Sequence, residues 1–262
     1  MVREEHFNIP RSFNIPRVEQ PDHIARITNV EDHSIGELRG VLIEDDSNYE
    51  VEDSNPLYNR QTALNLSIPE KVCIVGVGGI GSWVALNMGL IGVKKLYLID
   101  YDTIEEHNLN RTLFRDIDID TKKHMAISDI LLERRSDIDV RIFDKRLEEL
   151  SPFELKELSD TLIIDCRDVL DEFPQALKDN QKIKLGYDGL SITVIINPDY
   201  NAIWDIDENT GYQIIPSFLA PCQFLATAVT TIITDPNFDI SKSDNKVVTF
   251  NIDDFFMSML GD

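Results

Sequence analysis

Cysteine is scarce in this chain: only Cys73, Cys166 and Cys222, far apart from one another. Without a Cys-x-x-Cys pair, no structural zinc is expected. The odd count fits a reducing compartment, and a cytoplasmic location is expected. Positive charge is also short, with 25 Lys and Arg against 47 Asp and Glu and a net charge of −22. This balance argues against a general binder of nucleic acid or anionic membrane, because both need clustered cations. A phosphate ligand would have to be met by a few placed basic residues. The start, MVREEHFNIP, lacks the apolar core of a signal peptide. One run without charge, residues 72–93, is 22 residues long, enough to span a bilayer. Six of its residues are glycine, four of them between Gly76 and Gly81, so it reads as strand, tight turn and helix.

What is present suffices for a full core: 262 residues, 42% of them hydrophobic, or one to two domains. Residues 1–56 differ from the rest. They carry FNIPR twice, at 7–11 and 13–17, and 13 acidic against 5 basic residues. The prolines favour an extended chain. This part reads as an acidic extension or small docking subdomain, and 57–262 as the main domain.

From Lys71 strands alternate with helices. The strands are KVCIVGV, KLYLID, IDVRIF (Ile138, Val140 and Ile142 on one face), TLIID, KIKLGY, SITVII and KVVTFNI. Between them, Ile80, Val84, Met88 and Ile91 form a helical stripe, and a second helix starts near Lys122 with Ile127, Ile130 and Leu131 inward. Ser151-Pro152-Phe153-Glu154 is a capping box with proline at the first helical position. Pro174 can begin another helix, and residues 224–233 read as an apolar one. The pattern predicts an α/β fold, a Rossmann-like doubly wound and mainly parallel sheet with helices on both faces. Ligands in such sheets bind beyond the carboxyl ends of the strands.

The residues just after those ends carry chemistry. Gly76-Val77-Gly78-Gly79-Ile80-Gly81 permits a tight turn and close approach of backbone to phosphate, with a helix N-terminus behind it. Asp100, 24 residues beyond Gly76, stands where a carboxylate accepts from ribose hydroxyls. These features alone fit a dehydrogenase, a methyl transferase or an adenylating enzyme. Arg111 and Lys123 add two cations suited to clamp a nucleoside triphosphate. Otherwise they balance Asp116, Asp118 and Asp120 on a solvated loop. Asp165-Cys166-Arg167-Asp168 follows the fourth strand, where carboxylates can hold Mg²⁺ or cap a helix.

Together these pieces resemble the ThiF/MoeB/HesA family of ubiquitin-activating-enzyme-like adenylyltransferases, over about residues 57–262. The glycine turn matches the family's GxGGxG. Asp100 and Asp102 match its Asp-x-Asp, Asn108 and Arg111 its Asn-x-x-Arg, and Asp168 its Mg²⁺-binding aspartate in Asp-Cys-x-Asp. Lys123 matches the phosphate lysine by register, with Lys122 the alternative, because the family's Asn-Pro is Arg135-Ser136 here. Tyr58-Asn59-Arg60-Gln61 matches the arginine motif that reaches into the partner subunit's site, which implies a homodimer. Two departures stand out: the paired zinc cysteines are absent, and residues 199–219 lack the cysteine that forms a thioester in many members.

The resemblance implies ATP and Mg²⁺ as cofactors. The implied reaction is adenylation of a C-terminal carboxylate on a ubiquitin-like or sulfur-carrier protein or a peptide, releasing pyrophosphate. It implies adenosine positioning by Asp100, a phosphate cradle at Gly78 and Gly79, and phosphate contacts from Asn108, Arg111 and Lys123. Asp168 would hold the metal, and Arg60 would act across the dimer. The alternatives are a dehydratase like that acting on threonylcarbamoyladenosine in tRNA, which Gly81-Ser82-Trp83 resembles, and a non-catalytic partner subunit.

Overall fold

The computed structural model describes residues 56–62, 64–168, 173–200, 217–254 and 257. Apart from Pro56, the expected acidic extension lies outside them. The described elements in chain order are α1 (Asn59–Thr62), β1 (Lys71–Val75), α2 (Gly79–Ile91), β2 (Lys95–Ile99), α3 (Lys123–Arg134), β3 (Asp139–Phe143), α4 (Pro152–Glu157), β4 (Leu162–Asp165), β5 (Lys182–Asp188), β6 (Ser191–Ile196), α5 (Leu219–Thr234) and β7 (Lys246–Asn251), joined by several single 3₁₀ turns.

The strands form one sheet in the order β3-β2-β1-β4-β5-β6-β7. Pairs from β3 through β5 are parallel, whereas β5–β6 and β6–β7 are antiparallel. Alternation along each strand splits the core in two. Val72, Ile74, Leu96, Leu98, Leu162 and Ile164 face one way, in a cluster with side chains of α2, α3 and α5. Cys73, Val75, Tyr97, Ile99 and Ile163 face the other way, with Leu147, Leu150, Leu158 and Leu177. Both faces of the sheet are therefore covered, as the strand–helix alternation predicts.

Three elements differ from the reading of the sequence. Pro174 starts only a 3₁₀ turn, Gln175–Leu177. Helix α5 begins at Leu219, five positions before Phe224, because Pro221 falls in its first turn, where no backbone donor is needed. On β3, Ile142 is exposed and Phe143 is buried, because this strand is at the sheet edge and its faces are only half covered.

The register sets up the site. Val75 lies level with Ile99 on one side and Asp165 on the other. The residues that follow, Gly76, Asp100 and Cys166, therefore leave one edge of the sheet together. The chain order reverses at β1, with β2 on one flank and β4 on the other, which is the switch point where such sheets bind ligands.

Candidate active site at the carboxyl edge of β1, β2 and β4

Two hydrogen bonds hold the glycine turn to the end of β2. Gly76 N–H donates to the Ile99 carbonyl at 2.8 Å, and Val77 N–H donates to Asp100 Oδ2 at 2.7 Å. Gly76 has φ +82°, in the left-handed region that glycine enters without strain. A side chain at Gly81 is excluded, because its Cβ would lie 1.9 Å from the Gly76 carbonyl oxygen. At Gly78 a Cβ would meet nothing within 4 Å, so the turn opens outward there. The first N–H groups of α2 lie beside that opening, without intrahelical partners and at the positive end of the helix.

Asp100 is buried, and both its oxygens accept from backbone: Oδ2 from Val77 N–H and Oδ1 from Asp102 N–H at 2.8 Å. Burial pushes its carboxyl up, while Lys123 and the two backbone donors pull the other way. Its carboxylate faces inward and ties the turn to the end of β2. Asp102 is the open carboxylate of the pair, with 46% of its side chain exposed.

The loop after β2 folds back on itself: Ile104 N–H donates to the Thr121 carbonyl, and Lys123 N–H to the Asp102 carbonyl. That zipper brings Lys123 to Asp102, with Nζ 2.7 Å from Oδ2. One of the three ammonium donors is used there. Lys122 turns the other way, to Asp144 at 3.0 Å and the Tyr101 carbonyl. Of the two lysines left open by register, Lys123 is the one paired with Asp102 of the Asp-x-Asp. Asp116 and Asp120 have no ion pair to either cation among the described residues, and Asp118 is held by Arg115.

Asn108 is buried and structural: its Oδ1 accepts from Glu105 N–H at 3.0 Å. Arg111 spends Nη1 on the His107 carbonyl and Asn110 Oδ1. Its stem lies over the turn, since a Cβ at Gly79 would be 3.6 Å from Arg111 Cγ and Cδ. The backbone of Arg111 is pinned by Trp83, whose indole N–H donates to the Arg111 carbonyl at 3.0 Å. The sequence reading assigned Trp83 no part in the site; its signal was an indole donor one turn after the glycines.

Beyond β4, Asp168 is exposed and Asp165 is fully buried. Arg167 sits between them against the glycine turn, with its N 3.2 Å from where a Gly76 Cβ would be. Arg60 is the outlier. Helix α1 docks at the far end of α2, with Gln61 Nε2 donating to the Ile91 carbonyl at 2.7 Å and Tyr58 against Gly92. The 13 residues of α2, at about 1.5 Å each, put exposed Arg60 roughly 20 Å from the glycine turn of its own chain. The structure thus gathers the glycines, Asp100, Asp102, Asn108, Arg111, Lys123 and Asp168 at one pole and leaves Arg60 at the other.

Residues 59–173, which hold every one of these groups, match the ThiF family. This stretch is a ThiF-family domain. Ubiquitin-like modifier-activating enzyme 5 of Caenorhabditis elegans is 35% identical over 114 residues, covering 40% of this chain and 27% of that protein. The protein of that name in Dictyostelium discoideum is 37% identical over 118 residues, covering 40% and 30%. The chain thus matches under a third of the length of these curated relatives. Among solved structures, PaaA superposes with a TM-score of 0.63 at 23% identity, covering 81% of this chain and 76% of that one. Escherichia coli MccB, in a structure with ATP, superposes with a TM-score of 0.53 at 19% identity, covering 76% and 72%. These two share the fold of this chain.

Proposed function

We propose that this protein adenylates a C-terminal carboxylate on a ubiquitin-like or sulfur-carrier protein or peptide, using ATP and releasing pyrophosphate. One observation carries the reading: at the switch point of a strongly acidic chain, the stem of Arg111 lies over an open glycine turn, and Lys123 pairs with Asp102 at the end of the neighbouring strand. A dinucleotide enzyme does not need these two cations; a triphosphate does. The names of the relatives, activating enzymes for a ubiquitin-like modifier, point the same way.

In this reading the phosphates lie on Gly78, Gly79 and the first N–H groups of α2. Asp100 anchors the turn, and the exposed carboxylate of Asp102 accepts from the ribose hydroxyls. Asn108 shapes the loop that carries Arg111. The substrate carboxylate is ionised near pH 7, so its oxygen attacks the α-phosphorus without a general base. Catalysis is then positioning plus neutralisation of charge by Arg111 and Lys123. Among the described residues no cluster of three His, Cys, Asp or Glu could cage a metal. A single exposed carboxylate beside a phosphate cradle suits Mg²⁺, which takes one or two carboxylates and completes its shell with phosphates and water. Asp168 would hold that ion, which supplies further charge neutralisation on the phosphates.

The test is ATP–pyrophosphate exchange. The protein is purified with the products of neighbouring genes, and the one that stimulates exchange is the acyl substrate. With it, Arg111→Ala and Lys123→Ala are each expected to lower exchange about 10³-fold, as for cationic clamps in phosphoryl transfer. Exchange near the wild-type rate in both variants overturns the assignment.

A further inference from the structure

Beyond β4 lies a buried ionic cluster to which the adenylation chemistry assigns no role. Asp165 is fully buried. Its Oδ1 accepts from Arg167 N–H at 3.1 Å, Arg167 Nε at 3.0 Å and Lys184 Nζ at 3.4 Å. Its Oδ2 accepts from Arg167 Nη2 and from the Tyr200 hydroxyl, each at 2.9 Å. Arg167 reaches on to Glu148, and Lys184 Nζ also donates to the Arg167 carbonyl. Two acids and two bases make the cluster neutral. Burial alone would push the Asp165 carboxyl up; Lys184 and Arg167 outweigh it and hold it below the usual carboxylate range.

Such a cluster is a poor way to stabilise a core, since burying Asp165 and Lys184 with most of Arg167 costs about as much as their attraction returns, and Glu148 closes it from the exposed side. Its geometry suggests another purpose. Lys184 stands opposite Asp165 in the β4–β5 register, so its ammonium is brought to the carboxyl edge by strand pairing. From there it holds the Arg167 carbonyl, which is the oxygen of the peptide bond leading into Asp168. Asp165 holds the preceding N–H. On its other side Arg167 lies on the glycine turn, its Cγ 3.4 Å from a Cβ placed at Gly76. The Tyr200 hydroxyl ties the chain after β6 to the same carboxylate, and its ring stacks on Phe173 with centroids 4.6 Å apart.

We infer that Lys184, on the Arg167 carbonyl, and Tyr200, through Asp165, are positioning residues that fix the Arg167–Asp168 peptide against the glycine turn, and so aim Asp168 at a metal on the bound phosphates. This rests on the nucleotide reading above. It predicts that their contribution is felt only when Mg²⁺ accompanies ATP and only while Asp168 is present.

The experiment is a double-mutant cycle on the full chain. Lys184→Met and Tyr200→Phe are made alone and combined with Asp168→Ala, and ATP binding is measured calorimetrically with Mg²⁺ and with a chelator. Circular dichroism checks folding. If Lys184→Met does not fold, Tyr200→Phe, which loses one oxygen atom, carries the cycle. Each positioning variant should weaken Mg·ATP binding by about 5-fold and metal-free ATP binding by less than about 2-fold, and add nothing further in the Asp168→Ala background. Losses that multiply with that of Asp168→Ala, or that are equal with and without Mg²⁺, overturn the inference and leave the cluster a purely structural role. A wild type that binds ATP in neither condition overturns the nucleotide reading and the inference with it.

Discussion

If the protein adenylates a carboxyl as proposed, the three cysteines determine where that carboxyl can go next. The nucleophile of a thioester is a thiolate, exposed and of lowered pKa. Cys73 is buried within β1, and burial together with Asp165 pushes its thiol well above the usual range. Cys166 is partly exposed, and burial and then Asp165 push its thiol up as well. Cys222 begins near a helix N-terminus, a place that lowers a thiol's pKa, yet it is fully buried under Gly79. Burial raises its pKa and outweighs the Tyr187 hydrogen bond and Arg111. The adenylate is therefore expected to pass to an external nucleophile. After incubation with ATP and the cognate carrier, a non-reducing gel should show no reductant-sensitive adduct. An adduct that disappears in Cys222→Ser would make Cys222 catalytic. At this scale the sequence was informative where a residue's role is local, as at Gly76 and Gly81. It was silent about Lys184, which reads as one polar letter in KIKLGY, because only the strand register sets it opposite Asp165.

Among elements, α4 was legible in full because its signal is contained in four consecutive residues. Glu154 N–H donates to Ser151 Oγ, the Glu154 carboxylate accepts from Ser151 N–H, and Pro152 opens the helix. Lys145 adds two contacts to the same carboxylate, at 2.8 and 2.9 Å. Together, with Lys145 first, they bring Glu154 down to about 2. A lowered carboxyl stabilises the fold above its unfolded value, near 4.5 here, and loses that contribution as pH falls toward about 2. Glu154→Gln should therefore melt below wild type at pH 7, with the gap closing between about pH 4.5 and about 2. A gap of constant size across that range would show that the charge is not what matters. The end of α3 was not legible. Arg135 is buried, pairs with Asp137, donates to the Gly89 carbonyl of α2 and lies over the Tyr58 ring. It joins three segments distant in sequence, and no local pattern announces such a residue.

For the whole molecule, the strand–helix alternation was enough to derive a doubly wound sheet, and the switch point followed from strand order. What alternation cannot give is distance between poles. Arg60 and Asp168 occupy opposite ends of the same fold, so an Arg60 that serves catalysis must serve a second copy. In a symmetric dimer each site would then borrow Arg60 from its neighbour. Arg60→Ala and Asp168→Ala should each be inactive alone. Mixed in equal amounts, they should regain about a quarter of wild-type activity, because half the dimers then hold one intact site. No recovery, with subunit exchange verified, would mean that Arg60 acts in its own chain or not at all.

If ATP is the ligand, as proposed above, the ion pair of Lys123 with Asp102, set in a chain of net charge −22, also bears on how it arrives. The long-range field repels the very anion that the short-range cations attract. Lys123 meets the ligand while already engaged to an acid of its own chain. Added salt screens the distant repulsion, whose reach is about 8 Å at physiological ionic strength, and so speeds encounter. The same salt weakens the contacts that retain the nucleotide once it has landed. Arrival and retention therefore respond to ionic strength in opposite directions, and occupancy of the site is set by the balance between them.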